Sequence, residues 1–177
     1  TPLIVGQLLA GLAGFPLGWK LVALVHAFGL FIQLFIVYAN DVADFATDRL
    51  NKTFTLYSGG SRVLVDGDLK LQILRRVAWL AASLALVTCT VAGVAFGRWC
   101  LLPLGLLSIG LLLSYSFPPL RLNYDGGGEM LQVFGTGVVL PIFGWCAHTG
   151  SFFGFPTACL AVLTPTMLAC AIGTSLP

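Results

Sequence analysis

Long apolar runs separated by polar stretches form the main pattern along this chain. Six apolar segments can be recognised, and they cover residues 2–19, 21–40, 71–96, 99–117, 130–147 and 152–176. Each is close to or above the roughly 20 residues that an α-helix needs to cross a bilayer. None alternates apolar and polar positions as a barrel strand does, so a helix is the remaining way to satisfy the backbone in lipid. The pattern therefore predicts an all-α fold, a polytopic bundle of transmembrane helices.

The composition agrees with a chain that is surrounded by lipid. Apolar residues make up 58% of the 177 residues and charged residues only 9%, whereas a soluble domain carries roughly 25% charged residues. The net charge of +2 is too small to indicate a nucleic-acid partner. The five cysteines lie in or beside apolar segments and form no CxxC pair, so we expect them to pack as small hydrophobic residues. The sequence predicts a multi-pass protein of the plasma or inner membrane.

The polar joints between the segments differ in length and charge. Short joints fall around Lys20, at 97–98 and at 148–150, whereas long polar joints cover 41–70 and 118–129. If six helices alternate across the bilayer, the two long joints and the N-terminus share one side. Seven of the nine basic residues fall on that side, namely Arg49, Lys52, Arg62, Lys70, Arg75, Arg76 and Arg121. The positive-inside rule therefore places this side, which also holds all seven acidic residues, in the cytoplasm.

An acidic cluster follows the second apolar segment. Spacings of three and four residues place four side chains within about 100° of arc if the helix continues, and these are Asn40, Asp41, Asp44 and Asp48. Carboxylates on one helical face repel each other, and Mg²⁺ would remove this repulsion while binding substrate phosphate oxygens. A solvated acidic cap with Arg49 and Lys52 nearby is the alternative. We favour the metal and phosphate site because ionisable residues are costly beside a bilayer.

The two long joints contain further candidate residues. Residues 58–64 read Ser-Gly-Gly-Ser-Arg-Val-Leu, in which glycines let the backbone approach a ligand and Arg62 offers a planar fork to phosphate. Just before the second joint, Tyr115 precedes two prolines that end the fourth helix. Tyr115 is either an interfacial anchor or a site residue, and Arg121 is either a positive-inside residue or a second diphosphate contact. Glu129 suits the first turn of the fifth helix.

These residues together resemble a known family. The pattern Asn40-xxx-Asp44-xxx-Asp48 is similar to the first aspartate-rich motif of the UbiA superfamily of intramembrane prenyltransferases. Residues 59–64 with Gly67, and residues 115–121 with the following Gly128-Glu129, resemble the branch that prenylates 1,4-dihydroxy-2-naphthoate in menaquinone synthesis. The likeness extends over nearly the whole chain.

The resemblance implies a single prenyltransferase domain over residues 1–177 and a particular reaction. A polyprenyl group would pass from its diphosphate to an aromatic acceptor, with Mg²⁺ as cofactor. The catalytic residues would be Asp44, Asp48 and Tyr115. Diphosphate would be bound by Asn40, Arg62 and Arg121, and the metal by Asn40, Asp41, Asp44 and Asp48. The family has about nine helices and a second aspartate-rich motif, so we interpret the six segments as a truncated chain that is expected to be inactive alone.

Two alternatives stay open at this point. The acceptor could be a hydroxybenzoate, a chlorophyllide, haem or a glycerol phosphate, because the sequence does not identify the walls that select it. A transporter or channel is the alternative from another functional class. Transporter sites usually lie near the middle of the membrane, whereas every acidic residue of this chain is predicted to lie at one face, which favours the enzyme.

Overall fold

The computed structural model describes residues 2–51 and 62–175, and this part of the chain consists of helices joined by turns and loops. The helices are α1 (Pro2–Leu12), α2 (Trp19–Asp48), α3 (Leu71–Phe96), α4 (Leu101–Ser116), α5 (Leu122–Asp125), α6 (Gly128–Phe134), α7 (Leu140–Thr149) and α8 (Ala158–Ser175). A π-helical segment (Gly135–Val139) joins α6 to α7 in one continuous helical run. The predicted all-α membrane fold is confirmed.

Three helices of the described part are long and apolar enough to cross a membrane. They are α2, α3 and the run from Gly128 to Thr149. By contrast, α1 has 11 residues and ends at Leu12, because Gly14 with φ +90° and Pro16 follow it directly. Its length is about 16 Å, half the thickness of the hydrocarbon core. The first segment is therefore shorter than the sequence predicted, and Lys20, predicted to lie in a joint, belongs to the first turn of α2.

Small residues bring α2 and α3 together along most of their length. On α3, the side chains buried in this contact region are mostly alanines: Ala78, Ala81, Ala82, Ala85 and Ala92. Larger residues of α2, namely Phe28, Ile32 and Phe35, belong to the same core. Close approach through small residues is the usual means of packing helices in lipid, where no hydrophobic force drives them together. α3 then ends at Gly97, which adopts the left-handed conformation with φ +70°.

Helices α1 and α7 pack with their backbones in contact. A Cβ atom placed on Gly6 would collide with the carbonyl oxygen of Pro141, and one placed on Gly144 would collide with that of Leu3. The two backbones therefore touch directly, and neither position accepts a side chain without movement. Phe28 of α2 stacks on Phe143 of α7 with 4.0 Å between the ring centroids, which joins this pair to the rest of the core.

The joints separate into two ends of the molecule. At one end, Arg98 Nη2 donates to the carbonyl oxygen of His148 at 3.0 Å, and the rings of Phe15 and Trp145 lie 6.0 Å apart. These contacts bring together the turns that follow α1, α3 and α7. The end of α2 meets α4 and α5 at the opposite end, where hydroxyl groups of these helices bond to Asn40 and Asp44. The predicted short joints at 97–98 and 148–150 therefore share one end, while residues 52–61 of the first long joint lie outside the described residues.

Candidate active site

The last turns of α2 carry the acidic residues that the sequence singled out. Because α2 continues as a helix to Asp48, the four residues Asn40, Asp41, Asp44 and Asp48 lie on one side of it, each half-buried. Asp44 and Asp41 are close enough to Asp48 to repel its charge, whereas Arg62 attracts it. The repulsion expected from the sequence therefore exists in the fold, and one arginine partly offsets it.

Two hydroxyl groups from neighbouring helices orient this face. Ser116, the last residue of α4, donates to Asn40 Oδ1 at 2.5 Å. Tyr124 of α5 donates to Asp44 Oδ1 at 2.5 Å, and its oxygen lies 3.1 Å from Thr47 Oγ1. Burial first, and then the hydrogen bond to Asp44, raises the pKa of the Tyr124 phenol. Tyr124 therefore stays a neutral donor at neutral pH, and it holds one carboxylate oxygen in place.

The two candidate arginines share an unusual backbone conformation. Arg62 has φ 58° and Arg121 has φ 41°, and no other residue except glycine has positive φ within the described ranges. Such conformations cost on the order of 1–3 kcal/mol and cluster at functional sites. Arg62 Nη2 lies 3.3 Å from Asp66 Oδ1. The Arg121 guanidinium carbon lies 4.2 Å from the centre of the Tyr124 ring, so Arg121 reaches the acidic face through that ring.

Tyr115 lies between the acidic face and the start of α6. It is half-buried, and the charges of Asp44 and Glu129 both act on its phenol. Its ring packs on Gly128, where an added Cβ would lie 2.9 Å from Tyr115 Cε2. Glu129 is in the first turn of α6, as the sequence predicted. The glycines and serine at 59–61, which the sequence placed beside this site, lie outside the described residues.

A cavity of about 260 Å³ opens beside Asn40 and Tyr115 and continues between α2, α4, α6 and the π-helical segment. Its wall is mainly aliphatic, with Ile32, Ile36, Leu111, Leu112, Leu131 and Leu140. The hydroxyls of Ser108 and Thr136 line it too, but each donates to a backbone carbonyl of its own helix. Gln33 also faces the cavity, and its amide makes no hydrogen bond with any described residue. The cavity is therefore mainly apolar, and the amide of Gln33 is available to a ligand.

The side-chain oxygens of Asn40, which lines this cavity, and of Asp44, one turn further along α2, suit a magnesium ion that is shared with a substrate. No three acidic, histidine or cysteine side chains of the described residues come together as a complete metal site. Mg²⁺ is usually held by one or two carboxylates together with substrate phosphates and waters, not by a cage of protein ligands. Asn40 and Asp44 offer such oxygens, already oriented by Ser116 and Tyr124. The donor set therefore fits the predicted metal.

Sequence reasoning missed the residues that hold the site in place. Tyr124 and Ser116 were not selected, although a tyrosine beside a run of glycines and a serine beside Tyr115 were visible signals. Gln33 was also missed, although a polar side chain inside a membrane segment is by default a candidate site residue. The cavity itself has no local signal, because its wall comes from three distant parts of the chain.

Comparison with known families identifies the family of this chain. The profile of the UbiA prenyltransferase family matches residues 1–175, which include every site residue discussed above. No curated protein and no solved structure matches the chain significantly. Because the match covers almost the whole chain, this protein belongs to the UbiA prenyltransferase family.

Proposed function

We propose that this protein transfers a polyprenyl group from its diphosphate to an aromatic acceptor inside the membrane, in a reaction that depends on Mg²⁺. The proposal rests on one observation: polar and acidic side chains of α2 lie next to an apolar cavity. Asn40, which accepts a hydrogen bond from Ser116, lines an apolar cavity. Asp44, which accepts one from Tyr124, lies one turn further along the same helix. A polyprenyl diphosphate has the same two parts, a charged head and an apolar chain.

Residues of α2 and the two arginines would bind the diphosphate. Asn40, Asp41, Asp44 and Asp48 would hold the metal, which when bound neutralises charge on the departing diphosphate. Ser116 and Tyr124 hold the side chains of Asn40 and Asp44 in a fixed orientation, so these side chains need less ordering when the substrate binds. The charge of Arg62 acts on Asp48. Arg121 lies over the ring of Tyr124, which donates to Asp44. Guanidinium groups suit phosphate oxygens, so both arginines would bind the diphosphate.

Tyr115 and the apolar cavity would stabilise the prenyl group during its transfer. When the allylic carbon–oxygen bond breaks, the electron pair leaves with the diphosphate and a cation remains on the prenyl carbon. The face of the Tyr115 ring, beside the negative charges of Asp44 and Glu129, favours that cation. The aliphatic wall offers water few hydrogen-bonding partners, which disfavours reaction of the cation with water before a ring carbon of the acceptor attacks it.

For the acceptor we propose 1,4-dihydroxy-2-naphthoate or a similar quinone precursor. Support comes from residues 59–64 and 115–121, which resemble the menaquinone branch of the family. The free amide of Gln33 in the cavity suits a hydroxyl or carboxylate on such a ring. Another branch of the family uses hydroxybenzoate, so the two acceptors have to be compared in the same assay. The seven basic residues near the acidic end support a reaction at the cytoplasmic face.

The proposal is tested with the full-length protein in nanodiscs that contain a polyprenyl diphosphate, Mg²⁺ and either dihydroxynaphthoate or hydroxybenzoate. Asp44→Ala and Asp48→Ala should each lower product formation about a hundredfold or more, as loss of a charge-stabilising group does. Asp68→Ala is the matched control, because Asp68 is exposed in the loop before α3. Near-normal turnover in either α2 variant, or product formation in excess EDTA, would contradict the proposal.

A further inference from the structure

A second cleft of about 260 Å³ lies on a different face of α2. It is formed where the ends of α2 and α4 meet the start of α3, and its lining residues are Phe35, Ala39, Val42, Arg75, Ala78, Trp79, Leu113 and Phe117. None of these residues lines the cavity beside Asn40 and Tyr115. Whatever occupies the second cleft is therefore separate from the substrates of the proposed reaction.

The cleft is apolar except for one cation. Arg75 is exposed, and it makes no hydrogen bond or ion pair with any residue that the structure describes. Trp79 follows one turn later on α3, half-exposed, with its ring centroid 5.8 Å from that of Phe35. An aliphatic chain fits the aromatic part of this cleft. The guanidinium of Arg75 lies beside this aromatic part, so a matching ligand would carry an anionic group at the same depth as the start of α3.

The position of the cleft matches the boundary between headgroups and acyl chains. Arg75 lies in the second turn of α3, whose later turns expose apolar side chains such as Leu80 and Val87 to the surroundings. Tryptophan is enriched at this depth in membrane proteins. Lys70, Arg75 and Arg76 give the start of α3 three cations, and no acidic residue lies among them. Basic pockets between membrane helices bind anionic lipid headgroups.

We propose that this cleft binds one anionic glycerophospholipid. Its phosphate accepts hydrogen bonds from the Arg75 guanidinium, which is shaped to donate two parallel hydrogen bonds to phosphate oxygens. Part of one acyl chain lies between Trp79 and Phe117. An anionic lipid is favoured over a zwitterionic one because its charge is not compensated by a cation in its own headgroup, while Arg75 supplies a cation that lines the cleft. The site joins α2, α3 and α4 at the end of the molecule that carries the acidic face.

Native mass spectrometry of the full-length protein, titrated with phosphatidylglycerol or with phosphatidylcholine of the same acyl chains, tests this proposal. Arg75→Gln should weaken phosphatidylglycerol binding about tenfold, the effect of losing charge-assisted hydrogen bonds. Arg76→Gln is the matched control, because Arg76 is the adjacent exposed arginine and does not line the cleft. Its effect should stay below about twofold, as expected for an exposed charge.

A second variant tests the apolar part of the cleft without changing charge. Val42→Phe narrows the space beside Ala39 and Ala78, so it should weaken binding of both lipids. Equal losses in Arg75→Gln and Arg76→Gln would overturn the site, because they would indicate attraction by diffuse surface charge. Equal affinity for the two lipids would overturn the choice of an anionic lipid. Unchanged binding in Val42→Phe, with unfolding as in the unsubstituted protein, would show that the acyl chain lies elsewhere.

Discussion

At the scale of single residues, the acidic face of α2 depends on side chains that are not acidic. Ser116 and Tyr124 each donate one short hydrogen bond to it, to Asn40 and Asp44 respectively. The bond to the Asp44 carboxylate belongs to the stronger class, since hydrogen bonds to a charged group contribute about 1.5–3 kcal/mol, whereas Ser116 and Asn40 are both neutral. Partners that orient metal ligands are therefore expected to matter almost as much as the ligands themselves.

Tyr124→Phe isolates this effect. The substitution keeps the ring beneath Arg121 and removes only the donor to Asp44. We expect the Mg²⁺ concentration for half-maximal prenyl transfer to rise about tenfold, the lower bound for loss of a group that orients a metal ligand. Tyr38→Phe is the matched control, because Tyr38 is a half-buried tyrosine of α2 that lines neither cleft. Equal Mg²⁺ dependence in the two variants would contradict the orienting role.

Gln33→Leu tests whether the amide of Gln33 binds the aromatic acceptor. The side chain keeps a similar size but loses the amide, so an acceptor that it binds loses one hydrogen bond. We expect KM for the aromatic acceptor to rise about fivefold, the effect of about 1 kcal/mol, with KM for the polyprenyl diphosphate unchanged. Gln72→Leu, on the exposed start of α3, provides the control. A rise in KM for the diphosphate alone would place the prenyl chain, not the acceptor, beside Gln33.

At the scale of helices, glycine positions decide which helices can touch. Gly6 and Gly144 let the backbones of α1 and α7 meet, and Gly105 lets α4 approach Cys89 of α3. The π-helical segment (Gly135–Val139) adds a wide turn to the helical run that lines the cavity. Such segments are rare and are frequent at functional sites. The shape of the cavity therefore follows from helix contacts and from one irregular turn.

Gly6→Ala tests the closest of these contacts. The added methyl group would meet the backbone of Pro141 and Trp145, which cannot turn away as a flexible side chain can. We expect a loss of about 1–3 kcal/mol in unfolding free energy, as for other overpacked positions. Unfolding in detergent micelles, followed by circular dichroism, measures it. Gly110→Ala on α4 is the control, because nothing lies within 4 Å of its new Cβ. Similar stabilities of the two variants would contradict direct backbone contact.

At the scale of the whole molecule, the two ends differ in chemistry. The acidic face and Arg121 lie at the end where α2 meets α4 and α5, and the charge of Arg62 acts on Asp48 of that face. The opposite end carries short turns and a buried contact between Gln7 and His148, 3.4 Å apart. This polarity means that one orientation in the membrane determines which compartment supplies the diphosphate.

Single cysteines at the two ends test the proposed orientation. In a variant without the five native cysteines, Asp68→Cys should react with an impermeant maleimide only when the cytoplasmic face is accessible. Phe153→Cys, at a position that is 89% exposed in the turn after α7, should react from the other side. Reversed labelling would overturn the cytoplasmic site, and labelling of both from one side would contradict the arrangement of the helices.

Helix periodicity made the acidic face predictable from local spacing. Residues three or four apart on a helix share a face whatever else the chain does, so Asn40, Asp44 and Asp48 could be grouped without knowledge of their neighbours in space. The bounds of α3 were predicted correctly for a similar reason, because Gly97 ends it locally. Local signals also exist for the end of α1 at Gly14 and Pro16, but the long apolar run hid them.

The sequence by itself determined the membrane environment, the all-α fold and the acidic face, since these follow from composition and from spacings of a few residues. Only the tertiary structure decided which side chains meet that face. Ser116 is 76 residues from Asn40, and Tyr124 is 80 residues from Asp44. Such pairs depend on how whole helices pack, and several packings are compatible with the same apolar pattern. The cavity, its free amide and the cleft at Arg75 exist for the same reason, because each is enclosed by helices that are distant in the sequence.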